Sequence, residues 1–363
     1  MTAEGACRTV WRLALGVGFA WCAAAGGTNT PPKLPLLTWE GRTMGTTYMV
    51  KIAGVEQDER LAGTLRTAVE KRLGEINREM SHYQRDSELS RFNTSTSTAP
   101  FKVSAPFAKV MRHALALSQD SGGAFDPTLG WLIDLWGFGP AGRRTEPPTE
   151  EQIQECMRKC GAGHVRVTPE DDLQKDLPEL HLNLGAVAKG YGSDEAARVL
   201  RELGYSNVFV SVCGEIVAFG ANADGRPWQV GVERPIYDLP RGADLCGVVS
   251  LSGQALSTSG DSYNYFRDEN NQVYSHILDP VAGRPVRHKL ASVTVIAPNG
   301  LTADGLATTL YVMGLERGLE WIERRPDFAA LFVVRMDADR FKIVASRRFP
   351  PFRGDPRDDR TAN

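Results

Sequence analysis

The chain has 363 residues, with 42 Lys and Arg against 44 Asp and Glu, 42% hydrophobic and 24% charged. That is the composition of a folded globular protein rather than a disordered or collagen-like one, and the length suits one large domain or two smaller ones. A net charge of −2 gives no electrostatic reason to expect nucleic acid, and six cysteines are too few for a disulfide scaffold.

Residues 1–27 read as a secretory signal. Arg8 and Arg12 supply positive charge, an apolar run follows over 13–21, and Ala23, Ala24, Ala25, Gly26 and Gly27 offer small residues for cleavage. The run is short for a membrane span, and an uncleaved anchor is the alternative. Cys22 adds a lipid-modified start as a minor option, against which bulky Trp21 argues. Either way the chain is expected to be exported, to the periplasm or the outer face of the inner membrane. Residues 28–37 are Pro-rich and read as a linker, with one folded region expected over 38–346.

Residues 47–53 read as a strand. Over 61–80, apolar residues at 61, 65, 69, 73, 76 and 80 follow helical spacing. Residues 93–98 form a polar loop, and 106–118 a second helix with Pro106 at its start. Residues 141–151, with Pro147 and Pro148, read as a surface connection. Cys156 and Cys160 are four apart, so they are expected on one face of a helix as two buried structural thiols, with a disulfide permitted by an export compartment. Residues 186–203 are a third helix, with Gly204 placed for its C-terminal cap. Residues 207–219 are β-rich, broken at Cys213-Gly214. Strands are also expected at 248–251, 292–297 and 329–334, and a helix over 302–313 capped by Thr302. Residues 347–363, charged and with three prolines, read as a disordered tail. Strands and helices mix without regular βαβ alternation, so the fold class expected is α+β.

Three stretches carry chemistry. LNLGAVAKGYG puts small residues and Lys189 at a strand-to-helix junction, where free N–H groups and a cation suit a phosphate. It is neither a P-loop nor a dinucleotide fingerprint, and taken alone it reads first as close helix packing with a solvated lysine. In LTADGLATTL, Asp304 and Thr308 share a helix face. One carboxylate and one hydroxyl suit Mg²⁺, which takes further ligands from water and substrate phosphates, although taken alone Asp304 reads first as a first-turn acid that favours the helix dipole. His276, before the Asp279-Pro280 turn, suits a general base, although a lone histidine is more often structural. The Gly- and aromatic-rich tract over 121–139 suits stacking on a flat ring, or a core with tight turns.

Seven stretches taken in order, GRTMGTTYMVKI, MSHYQRDSELSRFN, GGAFDPTLGWLIDLWGFG, LNLGAVAKGYGSDEA, STSGDSYNYF, SHILDPVAGRP and TADGLATTLYVMG, resemble the ApbE family of FAD:protein FMN transferases over nearly the whole chain after residue 38. The resemblance implies a single catalytic domain with mixed or antiparallel sheets and packed helices, in one or two lobes around an FAD site. It implies Mg²⁺-dependent transfer of FMN from FAD, through its phosphate, to a threonine hydroxyl of an acceptor flavoprotein such as a subunit of a membrane redox pump, with release of AMP. Some members instead hydrolyse FAD to FMN and AMP, and a non-catalytic FAD carrier is the third alternative. The residues implied are Asp304, Thr308 and the Ala186 carbonyl for Mg²⁺, and Lys189 with Asn183 at the FAD phosphates. Met44, Tyr83, Ala124, Phe125 and Asp126 are implied for the flavin or adenine, Ile277 for the cofactor site through its backbone, and His276 as base. Two departures stand out. Cys213 replaces a glycine, where positive φ would be strained, and Trp131 replaces a common proline.

Overall fold

The computed structural model describes residues 33–140, 142–355 and 357–361. The expected signal or anchor over 1–27 lies outside the described residues. Of the expected linker, residues 36 and 37 already belong to the first strand, because Leu37 is fully buried.

In chain order, β1 (Leu36–Thr43) and β2 (Thr46–Ala53) form a hairpin whose two-residue turn, Met44-Gly45, has φ of +50° and +71°. These angles match the twist of the flanking strands. Helix α1 (Glu59–Met80) starts at Asp58, whose side chain accepts from the Arg60 and Leu61 amides, and it buries Leu65, Val69, Leu73, Ile76 and Met80. Helices α2 (Glu88–Thr94), α3 (Ala105–Asp120), α4 (Gly130–Leu135) and α5 (Glu150–Met157) follow, then a short hairpin of β3 (Val165–Val167) and β4 (Leu173–Lys175). Next come α6 (Ala188–Glu202), β5 (Val208–Val212), β6 (Glu215–Phe219), β7 (Trp228–Glu233), β8 (Leu245–Leu251) and β9 (Gln254–Gly260). Two small hairpins, β10 (Tyr265–Arg267) with β11 (Val273–Ser275) and β12 (Leu278–Asp279) with β13 (Arg284–Pro285), lead into β14 (Leu290–Ala297). The chain closes with α7 (Gly300–Met313), α8 (Leu315–Glu323), β15 (Ala329–Arg335), β16 (Phe341–Ala345), β17 (Arg353–Gly354) and β18 (Asp359–Thr361).

Nine strands form one sheet in the order β1-β2-β5-β6-β9-β14-β15-β16-β18, antiparallel except for the last pair. One face is covered by helices, through the core that joins Val293 and Val295 to Leu306 and Leu310. The other face carries the three-stranded sheet β17-β8-β7, through Trp228, Val230 and Val249 against Ile296, Leu331 and Phe341. β14 lies between both layers, so every one of its eight residues is buried and it reads as a continuous apolar run. This is the α+β architecture expected. Among the described residues no helix is long and apolar enough to cross a membrane.

Three local expectations are corrected. The cap of α7 is Asn299, whose side chain accepts from the Thr302 amide at 2.9 Å; Thr302 supplies that amide from inside the first turn. Helix α5 ends at Met157, so Cys160 lies beyond it. Both thiols are free and half-buried, and the Cys160 thiol donates to the Cys156 carbonyl. The C-terminal segment is ordered: β17 pairs with β8, β18 pairs with β16, and Asp358 is buried in a cluster where fully buried Arg234 meets Asp244, Asp355 and Asp358. Its charges, read as a sign of solvation, help to neutralise Arg234, which directly follows β7.

Candidate active site

A groove of about 1790 Å³ opens between the helices, the three-stranded sheet and the 261–280 segment. Met44, Tyr83, Ala124, Phe125, Asp126, Asn183, Ala186, Lys189, His276, Ile277 and Thr308 all line it, although they come from across the sequence. Asp304 lies beneath, 2% exposed, under Lys189.

Glycines bring this floor together. A Cβ on Gly190 would stand 2.1 Å from the Gly300 carbonyl oxygen and 2.7 Å from the Asp304 Cβ, so α6 and α7 touch backbone to backbone. Asp194 locks the crossing by accepting from the Gly300 and Leu301 amides at 2.6 and 2.9 Å. The start of α6 was expected to offer free amides to a phosphate, but the Gly190 amide is already taken by the protein's own carboxylate. Gly190 N–H donates to Asp304 Oδ2 at 2.9 Å.

Lys189 does not point freely into the groove. Its Nζ donates to Asp304 Oδ1 at 3.1 Å and to the Gly185 carbonyl at 3.0 Å, and lies 3.2 Å from Glu215 Oε1. Burial opposes the ammonium, but Asp304 and Glu215 outweigh it and hold its pKa above the ordinary lysine value. Burial and the like charge of Asp304 push the Glu215 carboxyl up, against the pull of Lys189. Glu215 was not singled out from the sequence. The available signal was an acid opening an apolar strand directly after the Cys213-Gly214 turn. That turn has φ of +57° at Cys213, the strained left-handed conformation anticipated there.

His276 follows β11, with Phe138 edge-on at 6.3 Å. Its Nδ1 lies 3.1 Å from the Asn264 carbonyl. A carbonyl only accepts, so Nδ1 carries the proton and Nε2 holds the lone pair. Burial, and then the charge of Lys189, pull its pKa down to about 4, so the ring is neutral at pH 7. Thr308 Oγ1 pairs with Ser259 Oγ at 2.9 Å.

The remaining positions are mostly held by their own hydrogen bonds. Asp126 accepts from the Thr128 amide and hydroxyl at 2.7 and 2.6 Å, so its carboxylate shapes the turn. Asn183 Oδ1 accepts from the Gly185 amide, and the Ile277 carbonyl accepts from Val286. Met44 packs over Gly192, and Tyr83 is an exposed residue at the groove, 63% accessible as a whole. From the aromatic tract, Phe138 lines the groove, whereas Trp136 is core. Trp131 is not among the lining residues; its indole N–H donates to the Glu179 carbonyl.

Comparison with known proteins identifies the family. The model of the ApbE family matches residues 44–332. A Vibrio cholerae protein named FAD:protein FMN transferase is 41% identical over 315 residues, covering 86% of this chain and 91% of that protein. The Escherichia coli K12 protein of the same name is 36% identical over 316 residues, covering 86% and 88%. The solved flavin transferase ApbE of Vibrio cholerae superposes with a TM-score of 0.79 at 39% identity, covering 88% of this chain and 99% of that one. The apo flavinyl transferase ApbE of Pseudomonas stutzeri gives 0.75 at 37% identity, covering 87% and 96%. With the family model spanning the groove from Met44 to the strands beyond Thr308, and relatives similar over most of both chains, this chain belongs to the ApbE family.

Proposed function

We propose that this chain is an FAD:protein FMN transferase, which moves FMN from FAD to a threonine hydroxyl of an acceptor protein and releases AMP. The observation that carries this reading is one groove in which a neutral imidazole, a half-buried lysine and Thr308 meet, with Asp304 directly beneath the lysine. In the transfer, the threonine oxygen attacks the FMN-side phosphorus, the bridging P–O bond breaks, and AMP leaves with the bridging oxygen. Such a reaction depends on positioning and on stabilising charge on phosphate oxygens.

His276 accepts the threonine proton at Nε2, with Nδ1 held by Asn264. Its low basicity arises partly from Lys189, so a diphosphate that balances that cation raises it. Lys189 faces the phosphates. Tyr83, Met44 and the 124–126 turn hold the rings, beside Asn183 and Ile277.

Mg²⁺ fits the donor set. Asp304, Thr308 and the Ala186 carbonyl are hard oxygen ligands, and Asp304 with Glu215 outnumbers Lys189 in charge. Among the described residues no three His, Cys, Asp or Glu gather into a protein-only cage, which suits an ion that shares its ligands with substrate phosphates. When bound, the ion would supply charge stabilisation to the diphosphate. The pattern over residues 1–27 supports export to the periplasmic side, which cell fractionation of the full chain would test.

The test incubates the chain with FAD and Mg²⁺, with and without a threonine-bearing acceptor, and measures AMP and protein-bound flavin. AMP matched by covalent FMN is the result expected. AMP with free FMN would make it a hydrolase, and tight FAD binding without AMP a carrier. Asp304→Ala is expected to abolish Mg²⁺-dependent turnover.

A further inference from the structure

We propose that Glu215 is a positioning residue for Lys189, holding its ammonium at the diphosphate end of the groove when Asp304 gives its carboxylate to a divalent cation; this rests on the transfer reading above. Lys189 Nζ has three anchors: Asp304, the Gly185 carbonyl and Glu215. Both Asp304 oxygens lie within 3.3 Å of Nζ, and Oδ2 also accepts from Gly190. A cation on Asp304 competes for those oxygens and repels the ammonium. The charged anchor that remains is Glu215.

The fold builds that anchor in advance. Lys189 and Ser193 are one turn apart on α6, on the same face. Ser193 Oγ donates to the Glu215 carbonyl at 2.7 Å and accepts from the Val212 amide at 3.2 Å, which staples the β5–β6 turn to the helix that carries Lys189. The Glu215 side chain is buried, with its Oε1 3.2 Å from Lys189 Nζ and the Ser257 hydroxyl drawing on the same carboxyl. A buried carboxylate is costly unless paired, and Lys189 is the charge that pairs it. Two carboxylates against one ammonium also leave the floor net negative when all are ionised, which favours a divalent cation.

The test uses Glu215→Gln, which keeps the shape and removes the charge, with Glu215→Asp as the conservative variant. Mn²⁺ binding to the chain without FAD is read by electron paramagnetic resonance, and kcat and KM by AMP release. In Glu215→Gln, Lys189 closes on Asp304 alone, so Mn²⁺ affinity is expected to fall about 10-fold and kcat by about 10–100-fold, the usual range for outer-shell partners, with KM for FAD within about threefold. Glu215→Asp should recover part of both. Adding Lys189→Met to Glu215→Gln removes the competing ammonium, and Mn²⁺ affinity is expected to return while turnover does not. A purely structural role for Glu215 would not give that return, and its absence overturns the proposal. Wild-type Mn²⁺ affinity and kcat in Glu215→Gln would also overturn it. Failure of the wild-type chain to release AMP would instead refute the transfer reading, with the Mn²⁺ arms still testing the clamp.

Discussion

Replacing Gly190 by Ala probes the crossing that makes the floor of the groove. The new Cβ would stand 2.1 Å from the Gly300 carbonyl oxygen, where such atoms do not approach within 3.0 Å, so α7 has to retreat by about 0.9 Å. The obstacle is backbone, which cannot rotate away, so the overpacking cost sits near the top of the usual range, about 3 kcal/mol. Alanine regains about 1 kcal/mol of helix propensity. The net loss is about 2 kcal/mol. At about 2.1 cal/mol/K per residue over 363 residues, that lowers Tm by about 3 °C. Activity should suffer more. The Gly190 N–H bond to Asp304 and the Lys189 contact both depend on this approach, and a shift near 1 Å at such a site costs about 100-fold. Gly63 is the control: it lies in α1 with open space around its Cβ, so Gly63→Ala should stabilise by about 0.5–1 kcal/mol and leave AMP release unchanged. Thermal unfolding and AMP release on the three proteins decide the matter. A Gly190→Ala chain that melts at or above wild type and turns over normally would refute the argument.

His276→Ala is expected to keep FAD binding, read by flavin fluorescence, and to lose transfer by about 10²–10⁴-fold; equal loss of both would make it a binding residue. Stability should depend on acid through the histidines. His82, His181 and His276 are each pulled to about 4 by burial, below an unfolded value near 6.5. Between those values the unfolded chain binds more protons, so their contribution is complete above pH 6.5 and falls as pH drops towards 4. Burial raises Asp194 to about 6, which acts in the opposite sense, so the reading is differential. His82→Gln should flatten the fall in Tm over this window relative to wild type, and identical curves would contradict it. A chain ending at residue 346 would be unaffected if the tail were disordered. With Arg234 left without Asp355 and Asp358, it should lose about 3 kcal/mol or more in chemical denaturation.

Much of the site was legible because its motifs are local. Asp304 and Thr308 stand one helical turn apart, and glycines mark the α6 start. Met44 sits in a two-residue hairpin turn that Gly45 helps to form. Glu215 was not legible. Its role depends on Lys189, 26 positions earlier in the chain, and on a staple through Ser193 that no short window contains. The tail was misread for a related reason. Charge and proline content report solvation only when no opposite charge waits elsewhere in the fold, and Arg234 waits on the segment just after β7.

The residues read alone already placed the strand at 47–53, the helices over 61–80, 106–118, 186–203 and 302–313 with the apolar stripe of α1, and the candidate chemistry: a histidine, a carboxylate with a hydroxyl, and a lysine. These are set by nearest neighbours along the chain and by helical or strand periodicity. Tertiary structure alone decided that Lys189 rests on two carboxylates, that the free amide of Gly190 holds Asp304, and that the last residues lock onto β8 and β16. Each of these pairs residues far apart in sequence, and in a desolvated interior a charge takes its partner from whichever elements the packing brings within hydrogen-bond reach.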